Sequence, residues 1–177
     1  MPSGKTHDRI TIVLAAPAAA AAYIVTQSEA IAVIVGVGFL FGGLMFGPDL
    51  DTVSKPYSRW GFARVLWFPY RQFFRHRSRW SHGLIFGTTI RVIYFAGVIT
   101  IGIGGVLILT AAAMGDAAPG WSSIENGWRA IGSTASDAAG FTLIASLLIG
   151  MWLGAASHTL TDVAITYIRS GRKDKLF

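Results

Sequence analysis

The sequence predicts an all-α integral membrane protein: a bundle of four transmembrane helices with a basic, aromatic-rich interfacial loop between the second and third helices. Two observations predict this fold class. Of the 177 residues, 53% are hydrophobic and only 14% are charged, a balance that is unusual for a soluble chain of single-domain length. Four long stretches also carry almost no charged residue, which is the pattern typical of membrane spans.

The four predicted spans cover about residues 10–25, 30–47, 92–114 and 138–157. Pro17 interrupts the first span, but spans tolerate proline because neighbouring helices satisfy the freed backbone groups. A secretory signal peptide is the alternative for this first run, and Asp8 within its basic start argues against it. The short turn at residues 26–29 makes the first two spans antiparallel neighbours.

The fourth apolar stretch is longer than a membrane requires. It stays free of Lys, Arg and Glu from Ala138 to Ile168. A helix of that length measures about 46 Å at 1.5 Å per residue, whereas a hydrocarbon core is only about 30 Å thick. We therefore expect the end of this helix, with His158 and Asp162, to project beyond the membrane.

The placement of charge predicts the topology. The loop 48–83 holds seven Lys and Arg residues against two Asp residues, and the tail 169–177 is also basic, whereas residues 115–137 have a net charge of −2. Loops rich in Lys and Arg stay on the cytoplasmic side of a membrane. Both termini and the 48–83 loop are therefore predicted to be cytoplasmic and 115–137 to be an outer loop, in a plasma, inner or other internal membrane.

Aromatic residues alternate with arginines in the 48–83 loop. Such a segment can stack on nucleic-acid bases, or it can lie in the headgroup layer of an anionic membrane. The flanking spans favour membrane lipids as the partner and argue against nucleic acid. Glycines four residues apart, such as Gly38/Gly42 and Gly150/Gly154, predict close helix packing within the bundle, with a homo-oligomer or a larger membrane complex as alternatives.

The chain has no cysteine and four histidines, so any bound metal must be held by His and Asp. On the predicted topology every histidine falls at the cytoplasmic end of a helix, together with three aspartates. A cluster of carboxylates and imidazoles is costly to bury unless a cation compensates it. The predicted metal ligands are His7, Asp49, Asp51, His76, His82, His158 and Asp162.

Two spacings add detail to the predicted site. Asp49 and Asp51 bracket one residue, so both carboxylates can address one ion or bridge two. His158 and Asp162 are four residues apart and share one face of a helix. Seven ligands exceed the four of a single zinc and suit two divalent ions, with manganese or magnesium as alternatives to zinc.

Other polar residues are predicted to support these ligands. Asp8, Ser81 and Thr161 are candidates to orient the imidazoles, although Asp8 could instead be a helix N-cap. Arg77 could contact a phosphate group or snorkel to lipid headgroups, and Arg91 could snorkel or pair with an aspartate of the site.

Four motifs follow one another along the chain: His7, then Pro48-Asp49-Leu50-Asp51, then His76-Arg77 with Ser81-His82-Gly83, then Ser157-His158 with Asp162. This ordered set resembles the family of membrane-bound metal-dependent hydrolases, and more closely a related family described only as uncharacterised metal-binding proteins. The resemblance implies a helical bundle distantly similar to zinc-dependent phospholipase C, and hence phosphoester hydrolysis. Five residues separate His76 from His82, where the hydrolase family usually has four, and this departure bears on the role of His76.

The leading functional hypothesis is a metal-dependent hydrolase that acts on a lipid or another phosphoester at the cytoplasmic face. The alternative is a non-catalytic metal-binding protein or an accessory subunit of a membrane complex. Ionisable residues in mid-membrane would indicate a transport pathway, and the four predicted spans contain none. The sequence therefore argues against a transporter or channel.

Overall fold

The computed structural model describes residues 3–74, 78–115 and 121–170, and within these residues the chain is helical, with no β-strand. Two short 3₁₀ helices, Pro48–Asp51 and Gly61–Trp67, lie among the α-helices. The α-helices of the described part are α1 (Gly4–Thr26), α2 (Glu29–Leu44), α3 (Lys55–Arg59), α4 (Phe68–Phe73), α5 (Arg79–His82), α6 (Phe86–Met114), α7 (Trp121–Ser136) and α8 (Ala138–Ser170).

Four helical stretches of the described chain are long and apolar enough to cross a membrane, which confirms the predicted number. They are Gly4–Thr26, Glu29–Asp51, Phe86–Met114 and Ala138–Ile168. The first begins at Gly4 rather than near residue 10, because Ser3 caps it by accepting a hydrogen bond from the Thr6 amide at 3.3 Å. His7 and Asp8 therefore lie inside α1 and not ahead of it.

The described residues form two compact units. The first comprises residues 3–74, 78–91 and 145–170, and the second comprises residues 92–115 and 121–144. The first unit contains α1 to α5 and most of α8. The second contains most of α6 and all of α7.

In the first unit, α2 and α8 touch through glycines. A Cβ on Gly38 would lie 2.6 Å from the carbonyl oxygen of Leu147, and a Cβ on Gly154 would collide with the carbonyl oxygen of Phe39. No side chain larger than hydrogen fits at this contact, so the two backbones approach directly. The glycines four residues apart thus allow close helix packing within one chain, as the sequence predicted.

The predicted 48–83 loop is mostly helical where it is described. Its two 3₁₀ helices, α3 and α4 fold an aromatic cluster onto the end of α2, where Trp67 lies 5.3 Å from Phe46 and from Trp60 between ring centroids. Trp67 and Tyr70 are completely buried. The Trp60 indole also donates to the Met45 carbonyl at 3.0 Å, which satisfies a carbonyl beyond the end of α2.

In the second unit, α7 occupies most of the stretch that the sequence predicted as an outer loop. Its apolar residues recur at helical spacing, and they line a cavity of about 170 Å³ together with residues of α6. The lining includes Ile124, Trp128 and Ile131 from α7.

Candidate metal centre

Two histidines from opposite ends of the chain stack on each other in the first unit. The rings of His7 on α1 and His158 on α8 are 3.8 Å apart between centroids and only 5° from parallel. Asp162 lies one helical turn beyond His158, and its Oδ1 is 3.3 Å from His7 Nε2. One nitrogen or oxygen from each of the three residues lies within 4.8 Å of the others, so together they could hold a metal ion. We call these three residues the stacked-histidine group.

Asp49 joins this group to a third histidine. It lies on the 3₁₀ helix after α2, where its Oδ2 is 3.2 Å from His158 Nε2. Its other oxygen, Oδ1, is 3.4 Å from Nε2 of His82 at the end of α5. A single carboxylate thus faces two imidazoles with different oxygens, which is an arrangement that can bridge two cations.

His82 has further partners on its opposite edge. Its Nδ1 lies 3.1 Å from Ser81 Oγ and 3.5 Å from Oδ2 of Asp51, whose side chain is fully buried. We call His82, Ser81 and Asp51 the His82 group. Burial lowers the pKa of His82, but the facing carboxylates of Asp49 and Asp51 outweigh burial and raise it to about 9.

Arg91 stabilises the position of the His82 group through a hydrogen bond to the backbone of Ser81. Its side chain is 1% exposed, and it donates to the carbonyl of Ser81 at 2.7 Å and to Thr88 Oγ1 at 3.1 Å. Gly87 permits this contact, since a Cβ there would lie 2.6 Å from the Ser81 carbonyl oxygen. Arg91 also interacts electrostatically with Asp51. Arg91 therefore does not snorkel to lipid, and the predicted pairing with an aspartate describes it better.

The stacked-histidine group has buried polar atoms without hydrogen bonds, and these atoms suit a bound cation. Among the described residues, both ring nitrogens of His158 and Oδ1 of Asp162 are buried without a hydrogen bond, and so is Oδ1 of Asp49 on the side of His82. The neighbouring nitrogen and oxygen atoms are close, but they do not point at one another as a donor and an acceptor would. Buried polar groups in native proteins are nearly always paired, so buried ring nitrogens and carboxylate oxygens without hydrogen bonds fit a bound cation. Two imidazoles and two carboxylates form a donor set that divalent transition metals accept.

A cavity of about 200 Å³ opens beside these atoms. His7, Asp49 and His158 line one part of it, and Lys55 and Gly4 line another. Lys55 and Arg59 both donate to Oδ2 of Asp8, at 3.0 and 2.7 Å. The site is therefore accessible to a small molecule, with a cationic side chain at its edge.

Several predicted residues have other positions or roles. Ser81 orients His82 as predicted, whereas the Thr161 hydroxyl donates to the Ser157 carbonyl of its own helix at 2.7 Å. Asp8 is neither an N-cap nor an imidazole partner, because Ser3 caps α1 and the Asp8 carboxylate pairs with two cations. His76 and Arg77 lie outside the described residues.

The sequence did not indicate the two cations that hold Asp8. Lys55 and Arg59 are four residues apart and lie on one face of α3, and this spacing can be read from the sequence. Their partner is 47 and 51 residues away in sequence, so only the folded chain could identify it.

The fold and the site define a helical protein with a His/Asp cluster of the kind that binds a divalent metal. Residues 2–172 match the family described as "Uncharacterized metal-binding protein (DUF2227)", and the chain belongs to this family. An uncharacterized protein of Aquifex aeolicus (strain VF5) is 43% identical over 60 residues, which cover 33% of this chain and 42% of that protein. No solved structure matches the chain. The predicted relation to metal-dependent hydrolases and phospholipase C stays a prediction, since these comparisons give no support for it.

Proposed function

We propose that the protein is a membrane-embedded, metal-dependent hydrolase that acts on a phosphoester or a lipid at the cytoplasmic face. The observation that carries this proposal is the cavity beside the stacked-histidine group. A metal that only ties helices together is enclosed by protein ligands, whereas a catalytic metal keeps a position open to a ligand. The cavity supplies that access.

The ligands proposed for a first ion are His7, His158, Asp162 and Asp49. A second ion is proposed between Asp49 and His82, with Asp51 and His76 as the remaining candidate ligands. Zinc is the proposed metal because imidazole and carboxylate together suit it, and manganese and magnesium are alternatives. A divalent ion in this position would supply Lewis acidity to a bound ester group.

The protein's own residues would orient and neutralise the reacting group. Asp51 lies against Nδ1 of His82, and this contact fixes the imidazole with its Nε2 towards Asp49. Nε2 is therefore the nitrogen that His82 would offer to the second ion, and it must lose its proton when that ion binds. Lys55 reaches the cavity from α3, where its ammonium group could bind a phosphate oxygen by a charge-assisted hydrogen bond.

The alternative is a non-catalytic metal-binding protein or an accessory subunit of a membrane complex. The observation that favours it is the origin of the ligands, which come from α1, from the 3₁₀ helix after α2, from α5 and from α8. The first ion would join three of these elements and the second would add α5, so that bound metal would stabilise the fold without any reaction.

The test is metal analysis and phosphodiester hydrolysis by the purified full-length protein in detergent. We expect bound divalent metal by mass spectrometry, and activity that a chelator removes and added metal restores. Asp162→Asn should lose metal and activity together. Glu125→Gln removes an exposed carboxylate of α7 and should leave both unchanged. Stoichiometric metal without hydrolysis of any phosphoester tested would favour the non-catalytic metal-binding protein. A folded wild type without affinity for metal would exclude both metal-dependent functions and leave the accessory subunit.

A further inference from the structure

The helical segment of residues 55–74 has two faces of different character, and its buried face is already occupied. Tyr57, Trp67 and Tyr70 are at most 7% exposed. Trp67 packs against Tyr70 and against Phe46 beyond the end of α2, and Arg71 covers the Tyr57 ring. The outward side chains therefore have no part in the core. Their chemistry indicates what this outer face contacts.

Large apolar side chains cover the outer face. Phe62 is 95% exposed, Val65 is 65% exposed and Phe68 is 52% exposed. Because a 3₁₀ helix has three residues per turn, Phe62 and Val65 align along one side of Gly61–Trp67, and Phe68 follows three residues later at the start of α4. Phe73, at the end of α4, is 84% exposed. Contiguous exposed apolar side chains of this size are rare on a surface that faces only water.

Positive charge accompanies these apolar side chains. Residues 55–74 contain Lys55, Arg59, Arg64 and Arg71 and no acidic residue. Arg64 is exposed between Phe62 and Val65 on the 3₁₀ helix, whereas Arg71 lies over the Tyr57 ring, 4.5 Å from its centroid. Aromatic side chains interspersed with Lys and Arg are the composition of segments that lie in the headgroup layer of anionic membranes.

We infer that the outer face of residues 55–74 inserts into the headgroup layer of a bilayer and prefers anionic lipids. The inference rests on the membrane location proposed above and is independent of metal and of hydrolysis. Phe62, Val65, Phe68 and Phe73 enter the acyl boundary, and Arg64 contacts lipid phosphates. Lys55 and Pro56, at the start of the segment, also line the cavity of the metal centre. A ligand that enters this cavity would therefore come from the headgroup layer.

The absence of cysteine from the chain allows a direct test. Single variants Phe62→Cys and Ser58→Cys would carry a nitroxide label in nanodiscs of phosphatidylcholine with 30% phosphatidylglycerol. Val37→Cys, on the exposed side of α2, reports on membrane location. Oxygen concentrates in the bilayer and a charged or polar nickel complex stays in water, so collision rates with the two reagents show where each label lies.

We expect the Phe62 and Val37 labels to collide mainly with oxygen, and the Ser58 label to collide more with nickel. If the Phe62 label collides mainly with nickel while the Val37 label collides mainly with oxygen, the inference is overturned but the membrane location stands. A Phe62 label that meets neither reagent would also overturn it, because the face would then be covered by protein. A Val37 label in water would overturn the membrane location and this inference together.

Lipid preference is tested with a fluorophore at Phe62→Cys and brominated lipids as quenchers. Brominated phosphatidylglycerol should quench more than brominated phosphatidylcholine at equal content. Adding Arg64→Gln should reduce this preference by about fivefold, the effect of one arginine near an anionic surface. Arg129→Gln removes an exposed arginine of α7 and should leave the preference unchanged. Equal quenching by both lipids in the wild-type background would overturn the anionic part of the inference.

Discussion

Asp49 contacts both the stacked-histidine group and the His82 group, yet the two groups satisfy their polar atoms in different ways. In the first, both ring nitrogens of His158 and Oδ1 of Asp162 are buried without hydrogen bonds. In the second, His82 is paired with Ser81 and Asp51, and Arg91 supplies a positive charge next to Asp51. We therefore propose that the first group binds a cation from outside the protein, whereas Arg91 supplies part of the positive charge in the second.

From this difference we expect His158 and His82 to contribute unequally to metal binding. His158→Ala removes two orphaned donor nitrogens at the centre of the first group, so we expect it to abolish binding of the first ion. His82→Ala should retain about one equivalent of metal, because the first group remains intact. Metal content measured by mass spectrometry, on samples whose helical circular dichroism matches the wild type, distinguishes them. Equal loss in both variants would show that the two groups act as one site.

The first group also depends on the close approach of α2 and α8. Gly154→Val would force the two backbones apart, since even a Cβ collides with the carbonyl oxygen of Phe39. Overpacking of this kind costs about 1–3 kcal/mol, and the displaced Asp49 and His158 should bind metal more weakly. Thermal unfolding in detergent measures the first effect and metal titration the second.

Gly102→Val is the matched control for that substitution. A Cβ at Gly102, on α6, has no atom within 4 Å, so the variant should unfold close to the wild-type temperature. If Gly154→Val were equally harmless, the contact between α2 and α8 would not be the feature that sets the geometry of the first group.

Asp51→Asn tests whether Asp51 orients His82 or binds metal itself. The sequence predicted Asp51 as a ligand, but its Oδ2 faces the edge of His82 that is turned away from Asp49. We expect a loss of about 10–100-fold in the affinity for the second ion, which is typical of a residue that orients a ligand. Titration with cobalt, followed by its visible spectrum, would show an altered ligand field if Asp51 coordinated the ion directly.

The smallest expected effect is a proton release on metal binding. Because the pKa of His82 is about 9 in the folded protein and ordinarily 6.5, protonated His82 stabilises the metal-free fold. That contribution is complete below about pH 6.5 and is lost as the pH rises through about 9. A cation beside Asp49 opposes this proton, so binding of the second ion at pH 7.5 should release about one proton.

Calorimetry in buffers of different ionisation enthalpy counts this proton. The apparent affinity for the second ion should rise about tenfold per pH unit below pH 9 and then level off. His82→Gln should remove the proton release, whereas the first ion should bind without this dependence. Proton release that persists in His82→Gln would assign it to another group.

Much of the helical framework could be predicted from local sequence. The apolar stretch from Ala138 to Ile168 gave the extent of α8, because its composition favours a helix along its whole length. The start of α1 was missed, since a polar first turn with a Ser3 cap has no hydropathy signal. The helices within the 48–83 loop were missed too, because short 3₁₀ and α-helices are stabilised by tertiary packing of residues such as Trp67.

The sequence by itself determined the residue types of the candidate site and their positions near helix ends. The four motifs brought His7, Asp49, His82 and His158 under consideration, because imidazole and carboxylate next to long apolar stretches are costly without a partner. It also determined that four stretches are long and apolar enough to cross a membrane, which depends only on length and composition.

Only the tertiary structure decided which of these groups meet and in what role. The stacking of His7 on His158, the two-sided position of Asp49 and the pairing of Asp8 with Lys55 join residues far apart in sequence. The contact of Asp49 with His158 depends on how closely α2 and α8 approach, and backbone contact at the glycines sets that distance. The local sequence determines which side chains lie at the end of a helix. Close packing between residues far apart in sequence determines which other side chains they contact.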